Sequence, residues 1–368
     1  MELAVDRVAL PCHLGIGNRI AIADGRIETI DQRPPGPEAR RLQGTLLPGF
    51  IDLQVNGGGG RSVDEAAPEA LDIVADSVWA GGSVAFLPTL ITAPWEQLLD
   101  QVRAVAAWID SWTGTGAQPL GLHVEGPFLS VGGAHDPECF VDPTPERIEA
   151  LLDAAGGHLR LLTLANDRTG AVAAVEQLRQ ANVCVSLGHV AKPSNLEDCV
   201  AAGARLVTHL FNAMQPMHHR ENCVPGMALD NPRLCCAMIA DGAHVHRSML
   251  RNAFAILGPD RMVLTSDAVA AAGMPDGDYF LAGKPLHSKD GVVRDSDQRL
   301  AGSALTLGKA ATNFLAWMPE TSAWTLSRIA SSNPARLLGN QDFGAIREGM
   351  LAAFTLLEDD GSVTAMRV

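Results

Sequence analysis

The chain has 368 residues, of which 47% are apolar and 19% are charged, and this composition excludes a mainly disordered protein. The 28 basic and 42 acidic residues give a net charge of −14, and no stretch of sequence concentrates Lys and Arg, so neither nucleic acid nor an anionic membrane is expected as a partner. Because the N-terminus lacks a signal-peptide pattern and no segment reaches the roughly 18 apolar residues of a membrane span, a cytoplasmic protein is expected. The seven Cys follow no C-x-x-C spacing and are expected to be mostly buried thiols.

The two ends of the chain have strand and turn patterns. Residues 19–23 form an alternating run, Arg-Ile-Ala-Ile-Ala, Asp24-Gly25 is typical of a hairpin turn, and residues 26–28 resume the strand pattern. The last 20 residues contain an apolar run at 353–357 and a second Asp-Gly turn at 360–361. We therefore expect both ends to join in one small β-domain.

The middle of the chain alternates buried strands with helices. Eight apolar runs of strand type occur, at residues 46–53, 83–89, 120–124, 159–164, 183–187, 205–210, 235–240 and 262–266. Helical patterns occur between several of them, at residues 94–112, 145–155, 171–181, 195–202 and 247–257. Eight such units predict an α/β protein with a closed (β/α)₈ TIM barrel, and the lack of G-x-G-x-x-G after an early strand disfavours a dinucleotide-binding sheet.

These patterns divide the chain into a barrel and a terminal domain. The barrel is predicted for residues 46–340, and residues 1–45 and 341–368 supply the two parts of the β-domain. Residues 279–294 have β and turn character, and they either join that domain or form a hairpin over the barrel.

Residues that bind metals or move protons fall at or just beyond the ends of the predicted strands. Glu125 follows the third strand, His189 the fifth, His209 lies near the end of the sixth, His244 follows the seventh and Asp267 the eighth. Singly, each is compatible with a hydrogen-bonded core residue or a helix cap. Together they occupy the end of the barrel at which the active sites of this fold are assembled.

One carboxylate and two imidazoles from three strands offer three N/O ligands to a divalent ion and leave a position for water, which is typical of catalytic coordination. Such an ion lowers the pKa of its bound water and polarises a carbonyl, while a nearby carboxylate carries the proton. Asp267 is the candidate for that carboxylate. One ion is expected, with Zn²⁺ the first expectation, although Fe²⁺, Co²⁺ and Mn²⁺ accept the same ligands.

Several segments resemble a known family. The run Leu47-Pro48-Gly49-Phe50-Ile51-Asp52 is similar to the opening strand of the amidohydrolase superfamily, and seven further segments resemble its N-acetylglucosamine-6-phosphate deacetylases. These segments are residues 121–128, 133–137, 187–189, 208–214, 240–245, 265–268 and 301–306, in the order in which the family has them. The resemblance implies a β-sandwich built from the chain ends, and hydrolysis of N-acetylglucosamine 6-phosphate to glucosamine 6-phosphate and acetate.

Carried over by motif, the resemblance implies that Glu125, His189 and His209 hold the metal. It implies that Asp267 is the general acid/base and that His135 binds the substrate close to its acetyl group.

The resemblance also implies a binding site for the sugar phosphate. Asn212, Ala213 and His244 would contact the sugar phosphate, and Arg220, supplied by the neighbouring subunit of a homodimer, would reach the phosphate. Imidazole, guanidinium and backbone N–H groups are suitable donors to a phosphate.

Two places depart from the family pattern. Where many amidohydrolases have His-x-His for a second metal, this chain has Gln54-Val55-Asn56, which favours a single ion. The loop at residues 215–230 is longer than in relatives, which weakens the assignment of Arg220.

The sequence also allows other functions. A related enzyme would deacetylate N-acetylgalactosamine 6-phosphate or an unphosphorylated N-acetylated amino sugar. A sugar-phosphate binding protein would not need Asp267 next to three metal ligands. A ring-opening amidohydrolase usually has a carboxylated lysine at the end of the fourth strand, and residues 162–167 contain no lysine.

Overall fold

Strands and helices alternate through most of the chain in the computed structural model, which describes residues 1–368. The strands are β1 (Glu2–Ala9), β2 (Leu14–Ala23), β3 (Arg26–Asp31), β4 (Arg40–Pro48), β5 (Phe50–Val55), β6 (Gly57–Gly58), β7 (Arg61–Ser62), β8 (Ser83–Ile91), β9 (Gln118–Pro119), β10 (Leu122–Glu125), β11 (Leu159–Leu164), β12 (Cys184–Leu187), β13 (Leu206–Val207), β14 (Cys235–Met238), β15 (Met262–Leu264), β16 (Gly277–Leu281), β17 (Lys284–Lys289), β18 (Val292–Asp295), β19 (Ala353–Leu357) and β20 (Val363–Arg367). The helices are α1 (Pro68–Ala80), α2 (Trp95–Ser111), α3 (Pro145–Ala155), α4 (Ala171–Gln180), α5 (Leu196–Ala202), α6 (Val224–Asp230), α7 (Arg247–Arg261), α8 (Leu307–Trp317), α9 (Ala323–Ser327) and α10 (Asn333–Leu337). No helix combines the length and hydropathy needed to cross a bilayer.

Eight parallel strands form the barrel, in the order β5-β8-β10-β11-β12-β13-β14-β15. A parallel bridge between Val55 and Ala268 joins the two ends of this sheet. The strands are mostly apolar because both of their faces are covered, and all nine residues of β8 are buried. The predicted TIM barrel is confirmed.

Helix α3 illustrates how local sequence defines the outer layer. The Thr144 side chain accepts a hydrogen bond from the Arg147 N–H at the start of the helix, and Pro145 occupies the first turn, where no N–H is needed. Gly156 ends the helix in the left-handed conformation. The apolar stripe of α3, including Ile148, is buried against the barrel.

The chain ends form one six-stranded sheet, in the order β20-β19-β4-β1-β2-β3, with its own apolar cluster. This arrangement confirms the predicted terminal β-domain, and the β2–β3 hairpin turns at Asp24-Gly25 with positive φ at both residues. The exact limits of the two domains stay a prediction.

The predicted strand at residues 46–53 is two strands. Strand β4 ends in the terminal sheet at Pro48, and β5 begins in the barrel at Phe50. The chain passes between the two sheets at Gly49, where a Cβ atom would lie 2.1 Å from Val84 Cγ2. Only glycine fits this passage, and an apolar run does not reveal that its halves belong to different sheets.

Of the two arrangements predicted for residues 279–294, the structure has the one in which they lie over the barrel. Strands β16, β17 and β18 form a separate antiparallel sheet and do not pair with the terminal sheet. Leu281 and Leu286 pack with Ile91, at the end of β8, so this sheet covers the carboxyl end of the barrel.

Gly44 permits close contact between β4 and β19, and its replacement should destabilise the fold. It has φ +102°, and a Cβ atom would lie 2.4 Å from the Leu357 carbonyl oxygen. We expect Gly44→Ala to lower the free energy of unfolding, measured by urea denaturation, by about 2–4 kcal/mol, because left-handed backbone strain adds to a backbone clash. Gly361→Ala is the control, since Gly361 has φ +86° and open space around it. Equal losses in the two variants would contradict the predicted clash.

Candidate active site

The candidate side chains converge at the carboxyl end of the barrel. Glu125 is the last residue of β10, His189 and His209 each lie two residues beyond β12 and β13, and Asp267 lies three residues beyond β15. All four are buried. Parallel strands bring their carboxyl ends to one rim, so residues far apart in sequence line one pocket, together with His135.

Glu125, His189 and His209 meet at three mutually close atoms. Glu125 Oε1 lies 3.2 Å from His189 Nε2 and 3.1 Å from His209 Nε2, and the two nitrogens lie 3.1 Å apart. Hydrogen bonds alone cannot satisfy all three contacts. If both imidazole N–H groups donated to Glu125 Oε1, two donor nitrogens would lie 3.1 Å apart with no acceptor between them. A single cation accepting all three lone pairs satisfies every contact.

The other ring nitrogen of His189 supports this interpretation. His189 Nδ1 lies 2.8 Å from the Val131 carbonyl oxygen, to which it donates, and this leaves the Nε2 lone pair free in the neutral ring. Ligating histidines in proteins are commonly held in this way. His209 Nδ1, by contrast, has no partner within the protein.

His135 is the fourth polar group of the cluster. Its Nε2 lies 3.6 Å from Glu125 Oε2, and Glu125, His135 and His189 also offer ligand atoms within 4.8 Å of one another. His135 Nδ1 lies 2.8 Å from the Thr92 hydroxyl and 3.4 Å from the Thr92 backbone nitrogen, and because the backbone N–H can only donate, it favours the tautomer with its proton on Nε2. That tautomer presents a donor, and no lone pair, to the pocket.

The donor set fits a divalent ion. Ligands around a tetrahedral Zn²⁺ at about 2.0–2.1 Å lie about 3.4 Å from one another, close to the separations of these three atoms. Burial alone raises the pKa of Glu125, but its close contacts with the imidazoles of His135, His189 and His209 outweigh burial and hold the pKa well below the usual range. Burial lowers the pKa of His135 to about 4, so that ring is neutral near pH 7. Glu125 therefore offers an ionised carboxylate, which is the form that binds a cation.

Asp267 lines the same pocket as these three residues. Burial, and secondly the charge of Glu125, raise its pKa to about 6. Asn56 Nδ2 donates to Asp267 Oδ1 at 2.8 Å and orients the carboxylate. Asn56 was not among the predicted site residues, although its position in the Gln54-Val55-Asn56 variant of the metal motif pointed to the pocket.

The backbone at this rim is strained. Five of its non-glycine residues have positive φ: His189, His209, Phe211, Ala213 and Asp267, at 54°, 27°, 80°, 50° and 51°. Such conformations persist only where the surrounding structure enforces them, and they cluster at functional sites.

The pocket also has donors for an anion. Ala213 lines the pocket and its N–H has no partner in the protein, whereas the Asn212 side chain donates to the His209 and Leu210 carbonyl oxygens. His244 Nδ1 lies 2.6 Å from Asp241 Oδ2, which fixes the ring. Asp241 lies in the segment 240–245 that resembles the family, but it was not among the predicted site residues.

Arg220 does not line this pocket. It is exposed, its Nε donates to His219 Nε2 at 2.9 Å, and the pocket lining contains no Lys or Arg. A phosphate bound here would therefore meet no cationic Lys or Arg side chain from the same chain.

The sequence is similar to known proteins over most of its length. The sequence model of the Amidohydrolase family matches residues 45–366. The chain is 35% identical to an N-acetylgalactosamine-6-phosphate deacetylase of Escherichia coli O157:H7, over 93% of this chain and 90% of the other. It is 32% identical to an N-acetylglucosamine-6-phosphate deacetylase of Bacillus subtilis, over 94% and 89%.

Solved structures are similar as well. A mutant N-acetyl-D-glucosamine-6-phosphate deacetylase of Mycobacterium smegmatis, in complex with N-acetyl-D-glucosamine-6-phosphate, superimposes with a TM-score of 0.93 at 34% identity, covering 100% of this chain and 97% of the other. The Thermotoga maritima enzyme gives a TM-score of 0.90 at 26% identity, covering 100% and 98%. With its barrel, its pocket of histidines and carboxylates, and these matches over nearly its whole length, the chain belongs to the amidohydrolase family.

Proposed function

We propose that the protein removes the N-acetyl group of N-acetylglucosamine 6-phosphate, giving glucosamine 6-phosphate and acetate. The observation that carries this proposal is that Asp267 lines one pocket with three converging atoms suited to bind a metal. Binding alone does not require a proton carrier there, whereas amide hydrolysis does. The relatives that share the family include enzymes named for this reaction.

Glu125, His189 and His209 would hold one divalent ion, with Zn²⁺ the first candidate. When bound, the ion supplies a water of lowered pKa and polarises the amide carbonyl.

Asp267 then moves the proton that the reaction requires. It accepts a proton from the attacking water as the new C–O bond forms, and it delivers that proton to the sugar nitrogen as the C–N bond breaks. Asn56 keeps the carboxylate in position. His135, with a proton on Nε2, donates to the acetyl oxygen as negative charge develops there.

The phosphate would bind at the far side of the pocket, against the Ala213 N–H, Asn212 and His244. Because the pocket lining has no Lys or Arg, the missing positive charge would come from Arg220 of a second copy in a homodimer. The homodimer and the cytoplasmic location stay predictions.

Arg220→Ala tests the phosphate contact. We expect KM for a phosphorylated substrate to rise about 10-fold or more with little change in kcat, since the lost contact binds ground state and transition state alike. Arg251→Ala removes an exposed arginine of α7 and serves as the control. An unchanged KM would exclude Arg220 from phosphate binding and would favour an unphosphorylated substrate.

The reaction itself is tested by metal analysis and acetate release from N-acetylglucosamine 6-phosphate, its galacto epimer, and both unphosphorylated sugars, with and without a chelator. The galacto epimer is the second candidate because the Escherichia coli relative is named for it. We expect the highest kcat/KM with the gluco phosphate and loss of activity with chelator. Release from none of the sugars would contradict the proposal and favour a binding protein.

A further inference from the structure

A second pocket, of about 850 Å³, lies at the opposite end of the barrel from the candidate active site. It is lined by the amino-terminal ends of central strands, including Cys184 of β12 and Cys235 of β14. Strand geometry places Cys184 about 17 Å from His189 along the same strand and its extension. The two pockets are therefore separate sites.

Five arginines line this second pocket: Arg160, Arg179, Arg205, Arg233 and Arg336. The lining has 16 residues and includes no Asp or Glu. With 24 arginines in 368 residues, an average lining of that size would contain about one. These residues are far apart in the sequence, which explains why the chain shows no basic run.

None of the five guanidinium groups is in an ion pair with a carboxylate, although the chain has a net charge of −14 and nine other arginines are in such pairs. Arg179 and Arg205 donate to backbone carbonyl oxygens, and Arg336 donates to the Asp260 carbonyl oxygen. The side chains of Arg160 and Arg233 have no hydrogen-bond partner. Since each guanidinium has five N–H donors, most donors around the pocket remain free.

Clustered positive charge without a carboxylate counter-charge produces a positive potential that attracts anions. The arginines extend from β11, α4, α10 and the segments that precede β13 and β14, so they surround the pocket. One phosphate cannot contact all of these positions in a pocket of this volume. Leu120 and Val183 add an apolar surface.

We propose that this pocket, which we call the arginine pocket, binds a small organic molecule with two or more phosphate groups. The planar guanidinium fork matches phosphate oxygens in bidentate fashion. The apolar surface contacts the organic part of the ligand. This site is independent of the reaction at the other end of the barrel.

Calorimetric titration of the full-length, metal-loaded protein with fructose 1,6-bisphosphate at low ionic strength tests the arginine pocket, with inorganic phosphate as the single-phosphate comparison. We expect the bisphosphate to bind at least 10-fold more tightly than inorganic phosphate, and more weakly as salt is added. In Arg205→Ala/Arg233→Ala the affinity should fall more than 10-fold, because two charge-assisted contacts are lost.

Two controls locate the binding event. Arg40→Ala/Arg41→Ala removes the same charge from exposed positions of the terminal sheet, and His244→Gln alters the candidate active site. Both should bind the bisphosphate like the unmodified protein, and circular dichroism should confirm that every variant is folded. The proposal is overturned by no binding to the unmodified protein, by unchanged affinity in Arg205→Ala/Arg233→Ala, or by an equal loss in either control.

Discussion

Asp267→Asn should lose about 10²–10⁴-fold in kcat while keeping the metal, since that is the usual contribution of a positioned general acid or base. The amide has nearly the shape of the carboxylate, but it cannot accept the proton of the attacking water or deliver one to the sugar nitrogen. The three converging atoms belong to Glu125, His189 and His209, so the substitution of Asp267 leaves all three proposed ligands in place. Acetate release and metal content measured on the same preparation check both parts of the prediction.

Asp278→Asn is a suitable control, because Asp278 is an exposed carboxylate of β16 that contacts only His287. It should keep both metal and turnover. An Asp267→Asn variant with near-normal kcat would refute the proton-carrier role. A variant that lost its metal would indicate that Asp267 is itself a ligand.

The alternation of buried strands and helices was enough to predict the barrel. In α3 and β11 the predicted bounds equal those of the structure, because each has one clear periodicity between clear end signals. Helices α1 and α8 were not predicted. In α8, Gly308 interrupts the helical pattern, and its lack of a side chain allows close contact with the Gly81 carbonyl oxygen, a tertiary feature that the local sequence does not reveal.

The candidate site was predictable where parallel-strand geometry determines it. Residues at the carboxyl ends of barrel strands must share one rim, so Glu125, His189, His209 and Asp267 could be grouped from sequence. The Asn56–Asp267 hydrogen bond joins residues 211 positions apart and depends on closure of the barrel, so no local pattern predicts it.

Contributions from outside the barrel strands were not predictable. Leu281 reaches the pocket from the separate β16–β18 sheet, for which the sequence allowed two positions. The grouping of five arginines at the opposite end is likewise a result of barrel closure.

Glu125→Gln should remove the metal and, with it, the activity. The variant keeps the size of the side chain but replaces the only anionic ligand with a neutral amide, which is a poor ligand for Zn²⁺. Removing a hydrogen bond that orients a metal ligand lowers metal affinity about 10–100-fold, so removing the ligand itself should lower it more than 100-fold. We expect metal content to fall from about one ion per chain to well below 0.1 after dialysis, and acetate release to fall at least 10³-fold.

Two further variants make this result specific to the assigned ligand set. Glu149→Gln changes an exposed glutamate of α3 and should leave metal and activity unchanged. His135→Gln distinguishes the two sets of three metal ligands that the geometry allows. If Glu125, His189 and His209 hold the ion, this variant keeps its metal and loses turnover, because only the donor to the acetyl oxygen is removed. Loss of metal from His135→Gln together with retention in His209→Gln would instead assign the third ligand to His135, and a Glu125→Gln protein that kept its ion would show that the metal is held elsewhere.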